Sequence, residues 1–302
     1  MTRYWPLLTT LAAIWGASYL FIKLAIDEIE PAPMMAFRAL VAGLLLAAYL
    51  VATRGGRDAV LELRRSWRPA VVLGTLNAAL PFWLIAWGEK FIDSSVAGIA
   101  QSTVPIFTFL LATHFLPREH VGAARIAGVA VGFFGVTVLA GFDPHGGRWA
   151  VAGTLAVVLS SFFYACAGVY GQLRVQTVPG PVLATGSMLA GGLILLPVAL
   201  LQPPAGVPDG EAILGLLALT VLGTVLGQLI LFRMLRLFGS RRLSLVTYLI
   251  PAFAVFYGAT LLDEPLTVAA LGGLVLILAG VALASGAQLL GSRRAAAQEE
   301  VA

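Results

Sequence analysis

Lys23 and Arg38 are the only cations set well inside long apolar stretches of this chain, and a charge in such a place is a functional hypothesis by default. Both stand near enough to a stretch end to snorkel toward a polar surface. A part in gating, or in steering an anionic group, therefore competes with plain anchoring. Neutral polar and aromatic groups recur at mid-length in the same stretches: Trp15, Ser18, Tyr19, Asn77, Gln101, Tyr164, Gln228, Thr247 and Tyr248. Asn77 and Pro81 are four apart, as are Gln101 and Pro105, so each amide shares a helix face with a proline. Each proline also frees a carbonyl one turn back, which must find a partner or line a wet cavity. Phe82, Trp83 and Trp87 add aromatic surface near the same depth. Rings and amides with little fixed charge suit a small, partly apolar solute. The competing use of the amides is to bond helix to helix, and that of the rings is an interfacial belt.

The enzyme classes are poorly served. The chain has no HExxH, no GxSxG and no pair of acids in mid-stretch, and its histidines, His114, His120 and His145, fall at turns. Ser160 and Ser161 have no histidine at comparable depth to activate them. The single cysteine, Cys166, excludes an intramolecular disulfide and a cysteine-cluster metal site. No catalytic residue, cofactor or metal is expected.

Those groups need elements to hold them, and composition dictates which. With 59% hydrophobic and 11% charged residues among 302, and a mean hydropathy of +0.93, the chain cannot enclose its apolar surface in a water-soluble core. A lipid bilayer is the solvent that fits. Ten windows long enough to cross ~30 Å of hydrocarbon as helix are predicted at 4–25, 33–52, 69–88, 94–113, 122–141, 150–171, 181–201, 213–235, 243–262 and 266–286. The charged break at 54–68 reads as a solvated face. The polar end from Ser292 reads as a disordered tail, and the first window is too long for a cleaved leader.

The chain also repeats itself. Residues 94–116 reappear at 240–262, matching Ser94 with Ser240, Pro105 with Pro251 and Phe107 with Phe253; one residue later in register Glu119 meets Glu264, Gly128 meets Gly273 and Gly135 meets Gly280. The predicted organisation is a first repeat over 1–142, a linker over 143–149, a second repeat over 150–290 and a cytoplasmic tail over 291–302. Five spans per repeat is an odd number, so the second must enter the membrane inverted. With the N-terminus in the cytoplasm the arginines gather on the inner segments, while the outer loops keep little beyond Lys90 and Arg148. This satisfies the positive-inside rule and places both termini inside. The net charge of +4 is thus topological rather than a nucleic-acid signature. An inverted repeat has two states of similar energy, one open to each side, and a site near the midplane between halves. Pro105 and Pro251 are the candidate hinges, and Gly128 with Gly132 a close-packing motif within the bundle.

Residues 15–23, Trp-Gly-Ala-Ser-Tyr-Leu-Phe-Ile-Lys, resemble the first-helix pattern of the drug/metabolite transporter superfamily with EamA-type domains. Residues 36–40 around Arg38 resemble its second-helix motif. Pro105, Glu119, Gly128 and Gly135, with their second-half counterparts Pro251, Glu264, Gly273 and Gly280, are similar to the end of an EamA repeat. The resemblance spans residues 4–287 and implies an all-α membrane protein of ten transmembrane helices in two inverted five-helix repeats, exporting a small metabolite across a bacterial inner membrane. Span six departs from the pattern: Tyr164 and Gly171 stand where Gly16 and Lys23 stand in span one, so Lys23 lacks a symmetry mate. Within the superfamily the resemblance leans toward the YddG-like amino-acid exporters.

The expected substrate is an amino acid, aromatic or large apolar ones included. It is bound by Trp15, Ser18, Tyr19, Asn77, Phe82, Gln101, Tyr164, Gln228, Thr247 and Tyr248 and steered or gated by Lys23, Arg38, Pro105 and Pro251. With no acid or histidine found at depth, facilitated diffusion is the expected mechanism. A nucleotide-sugar or drug transporter of the same superfamily, or a non-transporting scaffold, is the alternative. Beyond substrate and lipid no partner is expected; the reading favours a monomer over a dimer.

Overall fold

A backbone in hydrocarbon must satisfy its own N–H and C=O groups, which a helix does internally. The computed structural model describes residues 4–115, 122–141, 147–203, 206–243 and 245–299, and these are helical with connecting turns and no strand. The expected turn residues Glu119 and His120, and residues 143–146 of the linker, lie outside the described residues.

The first two helices are α1 (Tyr4–Ile26) and α2 (Pro31–Arg54). Pro31 opens α2, where a missing N–H costs nothing, and Gly55 with φ 84° ends it. The charged break folds as a short helix, α3 (Gly56–Arg65), whose Glu62 pairs with Arg54 at 2.6 Å and whose Ala59 is buried with Leu50 and Val182. The third stretch is α4 (Trp67–Gly74), a π turn Thr75–Ala79, and α5 (Leu80–Glu89). Pro81 lacks an N–H and its ring crowds the carbonyl of Asn77; the helix widens just before it, and the Leu80 N–H reaches the Thr75 carbonyl five residues back. The fourth stretch breaks likewise at Pro105, into α6 (Ser94–Ala100), a 3-10 turn Gln101–Thr103 and α7 (Val104–Phe115). Then come α8 (Ala123–Gly141), α9 (Gly147–Arg174), α10 (Gly180–Leu200), α11 (Gly210–Ala218), a π segment Leu219–Leu226, α12 (Gly227–Leu243), α13 (Val246–Leu261) and α14 (Val268–Glu299).

Among the described residues, seven helical stretches are long and apolar enough to cross a membrane, and three shorter apolar helices, Ile126–Ala140, Val246–Leu261 and Val268–Ala284, accompany them. Several boundaries differ from expectation, most visibly at the expected linker and tail. The sixth window begins earlier and ends later, as α9 takes in residues 147–149 of the expected linker. The expected disordered tail is helical to Glu299, because residues 292–299 are mainly Ala, Arg, Gln and Glu, strong helix formers.

Lipid offers no hydrophobic drive between helices, so small residues set the contacts. Helices α8 and α14 lie antiparallel, with Gly128 against the backbone of Gly280 and Ala284, and Gly135 against Ile277. Helices α2 and α10 pair in the same way through Gly43 with Leu189 and Gly192 with Leu40. The Gly128–Gly132 motif therefore packs inside the bundle, as expected from the sequence. Helix α1 is held between α13, where Gly16 meets Phe253, and the α11–α12 stretch, where Gly223 meets Ser18 and Gly227 meets Trp15. That position carries its polar and aromatic residues into the centre of the molecule. Large apolar side chains such as Leu44, Leu193, Leu214 and Val275 stay exposed on the outside, the surface a bilayer covers.

Candidate substrate cavity

At the centre lies a cavity of about 350 Å³ whose lining includes Trp15, Ser18, Tyr19, Asn77, Phe82, Gln101, Tyr164, Gln228 and Thr247. These are nine of the residues read from the sequence as substrate-facing, drawn from six different apolar stretches. Arg38 and Pro251 line it too. Tyr248 does not: its ring packs partly buried against the apolar core, because Thr247, its neighbour, takes the cavity-facing side and adjacent helix positions point about 100° apart. Pro105 stands one residue beyond Val104, which does line the cavity. Trp83 packs against the core. Trp87 joins Phe91 and Trp149 in a ring cluster, with centroids 5.0 and 6.5 Å from its own.

Local irregularities of the backbone aim the polar groups. The carbonyl that Pro105 frees is that of Gln101, and it accepts from Ser161 Oγ at 3.5 Å, while Gln101 Oε1 accepts from Ser160 Oγ at 2.9 Å. Helix α9 thus compensates the break in its neighbour. Gln101 Nε2 is sealed from solvent without a partner. On the opposite wall the π segment Leu219–Leu226 turns Thr224 inward. Its Oγ1 donates to the Leu219 carbonyl five residues back at 3.2 Å and accepts from Arg38 Nε at 2.9 Å.

Arg38 is buried, at 7% exposure. Its Cζ lies 3.9 Å from the centroid of the Phe82 ring, a cation–π contact that strengthens where water is excluded. No described carboxylate forms an ion pair with it: the pairs present are Arg54–Glu62 and Lys90–Glu30. The sequence left open whether Arg38 snorkels; it turns inward instead, because Thr224 and Phe82 supply an acceptor and a ring at that depth.

Lys23 is placed differently. It is not in the lining, and its Nζ donates to the carbonyls of Glu89 at 2.9 Å and Ile92 at 3.1 Å. A cation at exposed helix-terminal carbonyls is a stabilising arrangement, and here it ties the end of α5 to α1. Nearby, the Glu264 carboxylate accepts from the N–H groups of Ser94 at 2.7 Å and Ser95 at 2.9 Å, capping α6. Both contacts stand at the Lys23 end of the bundle, and nothing local in the sequence announces the cap, since Ser94 and Glu264 lie 170 residues apart.

Glu89 adds something the sequence reading did not foresee. It is the last residue of its span, where the acids are expected. The Glu89 side chain is fully buried and both carboxylate oxygens lack a hydrogen-bond partner among the described residues. The cause is close packing of α5 on α9, where a Cβ on Gly88 would stand 2.8 Å from the Gly153 carbonyl. Among the described residues no group of three or more His, Cys, Asp or Glu side chains is placed to hold a metal ion.

Toward the opposite end a second hollow of about 750 Å³ is lined by Leu7, Tyr49, Arg54, Phe232, Arg233 and Arg236, among others. It lies along the neighbouring face of α12, whose Gln228 and Leu231 face the central cavity.

The profile of the EamA-like transporter family matches the chain twice, over residues 3–141 and 151–286. A transporter of Archaeoglobus fulgidus is 25% identical over 290 residues, covering 92% of this chain and 97% of its own. The inner membrane transporter YedA of Escherichia coli strain K12 is 26% identical over 264 residues, 86% of this chain and 83% of its own. A protein of Salmonella typhimurium named "Probable amino-acid metabolite efflux pump" is 26% identical over 284 residues, 89% and 90% of the two chains. A solved crystal structure superposes with a TM-score of 0.66 at 21% identity, covering 95% of this chain and 96% of its own; it speaks to the fold alone.

Proposed function

The chain belongs to the EamA-like transporter family, a multi-pass membrane transporter and not an enzyme, and from that premise we propose that it exports a small organic metabolite by alternating access, with amino acids, aromatic and large apolar ones included, as the substrate class. The observation that carries this reading is the central cavity: Trp15, Tyr19, Phe82 and Tyr164 give it aromatic walls and Arg38 gives it one buried cation that forms no ion pair with a described carboxylate. Aromatic walls take the side chain and the guanidinium takes the carboxylate, whose planar fork it matches. The volume fits a pocket for a single small solute. The name of the Salmonella relative points the same way.

Ten helices in two inverted repeats, with both termini in the cytoplasm, remain the reading of the topology. Its support is the double family match and the antiparallel pairing of counterpart stretches, α2 with α10 and α8 with α14. On that reading the Lys23 end is the outer end, and the end that carries Arg54, Arg233 and Arg236 faces the cytoplasm. The lining holds no acid or histidine, which favours movement down the solute's own gradient. A nucleotide sugar fits less well, since its diphosphate calls for several cations and Arg38 is the one cation in the lining.

Purified protein in proteoliposomes should give saturable flux of labelled phenylalanine or tryptophan, and replacement of Arg38 by Gln should abolish it. Flux of small hydrophilic amino acids alone would remove the aromatic-pocket reading.

A further inference from the structure

We infer that the central cavity favours a small carboxylate with net negative charge and an apolar or aromatic body over a zwitterion of the same shape. The inference rests on reading that cavity as the substrate site. Arg38 spends its Nε on Thr224 Oγ1, a neutral acceptor. Its Nη1 donates to the Met35 sulfur at 3.8 Å, a weak acceptor. One face of the guanidinium is taken by the Phe82 ring. A guanidinium has five N–H donors and no acceptor, so its terminal donors are left for an incoming oxyanion. The buried, unpartnered Gln101 Nε2 is a further orphan on the lining.

The opposite requirement is met only in part. A zwitterion brings an ammonium group that needs a carboxylate or several oriented oxygens in place of water. The lining contains no Asp or Glu; its ionisable groups are Arg38, Tyr19 and Tyr164, and what it holds for an ammonium is neutral oxygens such as those of Ser18, Asn77 and Gln228. Glu89 stands outside the lining and forms no ion pair. A monoanion therefore balances the one formal charge of the lining, whereas an amino acid also brings a cation that meets no carboxylate there.

Three ligands with one ring and one chain length separate the cases: 3-phenylpropionate, an anion; phenylalanine, a zwitterion; and phenethylamine, a cation. Binding to the purified transporter is measured by intrinsic fluorescence, and flux by counterflow in proteoliposomes. We expect 3-phenylpropionate to bind at least about tenfold tighter than phenylalanine, the scale of one unpaired charged group, and phenethylamine not to bind. The Arg38→Lys variant should keep part of that preference and Arg38→Gln should lose it. Because Arg38 variants can misfold, Thr224→Val is a second probe: it frees Nε and should leave the order of ligands intact. Phenylalanine equal to or better than 3-phenylpropionate on the wild-type protein overturns the inference and leaves the proposed amino-acid export standing. Absence of binding by all three removes both.

Discussion

Lys23 Nζ donates to the backbone carbonyl of Glu89 at 2.9 Å, while the Glu89 carboxylate, fully buried, receives no hydrogen bond from any described residue. The hydrogen bonds of the cation go to the backbone and not to the acid. Lys23→Met should therefore cost stability, because two charge-assisted bonds go, each worth about 1.5–3 kcal/mol. Glu89→Gln, which keeps the shape and removes a buried carboxyl that is costly to ionise, should be neutral or stabilising. Melting temperatures in detergent decide it; a Glu89→Gln protein that melts well below wild type would show that the carboxylate is paired after all.

The Glu264 cap predicts a second asymmetry. Glu264→Ala removes acceptors from two buried N–H groups at the start of α6, and a lost cap costs about 0.5–2 kcal/mol. Glu264→Gln retains one acceptor and should recover part of the loss. Equal stability of the three proteins would mean that water replaces the cap.

Gly280 is the tightest point of the α8–α14 contact, since an added Cβ would stand 2.5 Å from Gly128 O and Gly132 N. Gly280→Ala should force these helices apart at a cost of about 1–3 kcal/mol, and Gly280→Leu should prevent accumulation of folded protein. Gly272, whose nearest neighbour is a Val138 methyl at 4.0 Å, should accept Ala with no change in melting temperature.

Single cysteines in a Cys166→Ser background test the cavity directly. Those at Asn77, Gln101 and Gln228 should react with small aqueous thiol reagents and be protected by a bound carboxylate. One at Tyr248 should react slowly. Fast reaction at 248 and inertness at the other three would exchange the assigned faces.

Pro105 and Pro251 are predicted to act as hinges. Pro105→Ala restores an N–H that can bond Gln101 O, the oxygen now used by Ser161, so the 3-10 turn should tighten into continuous helix and transport should slow more than stability falls. Wild-type flux from a well-folded Pro105→Ala, Pro251→Ala double variant would count against hinging.

Most of the cavity was legible because its residues violate the local pattern: an amide, a hydroxyl or an arginine in the middle of an apolar run has few uses other than to face its own kind. Asn77, Gln101 and Gln228 were found that way, and the prolines marked where the backbone departs from regular helix. Tyr248 stands outside the lining because an aromatic ring is at home on either face of a helix, and Thr247 beside it takes the cavity-facing position. Glu89 was missed for the opposite reason. Position near a span end suggests solvent, but burial there is set by Gly88 and Gly153 coming together from stretches 65 residues apart, and no periodicity in the sequence reports that encounter. Thr224 was invisible until the π segment turned it toward Arg38.

Arg38 also gives the transport cycle a way to feel the membrane voltage. If the inferred monoanion is the substrate, and if the Arg38 charge crosses the field when the vacant carrier reorients, a cell interior that is negative draws the vacant cavity back toward the cytoplasm and leaves the neutralised, loaded step untouched. One charge across 100 mV is worth about 2.3 kcal/mol, which would add to the solute's own gradient. A potassium diffusion potential imposed on proteoliposomes is then predicted to change the rate of flux of the acid, and an unchanged rate would show that Arg38 does not move through the field.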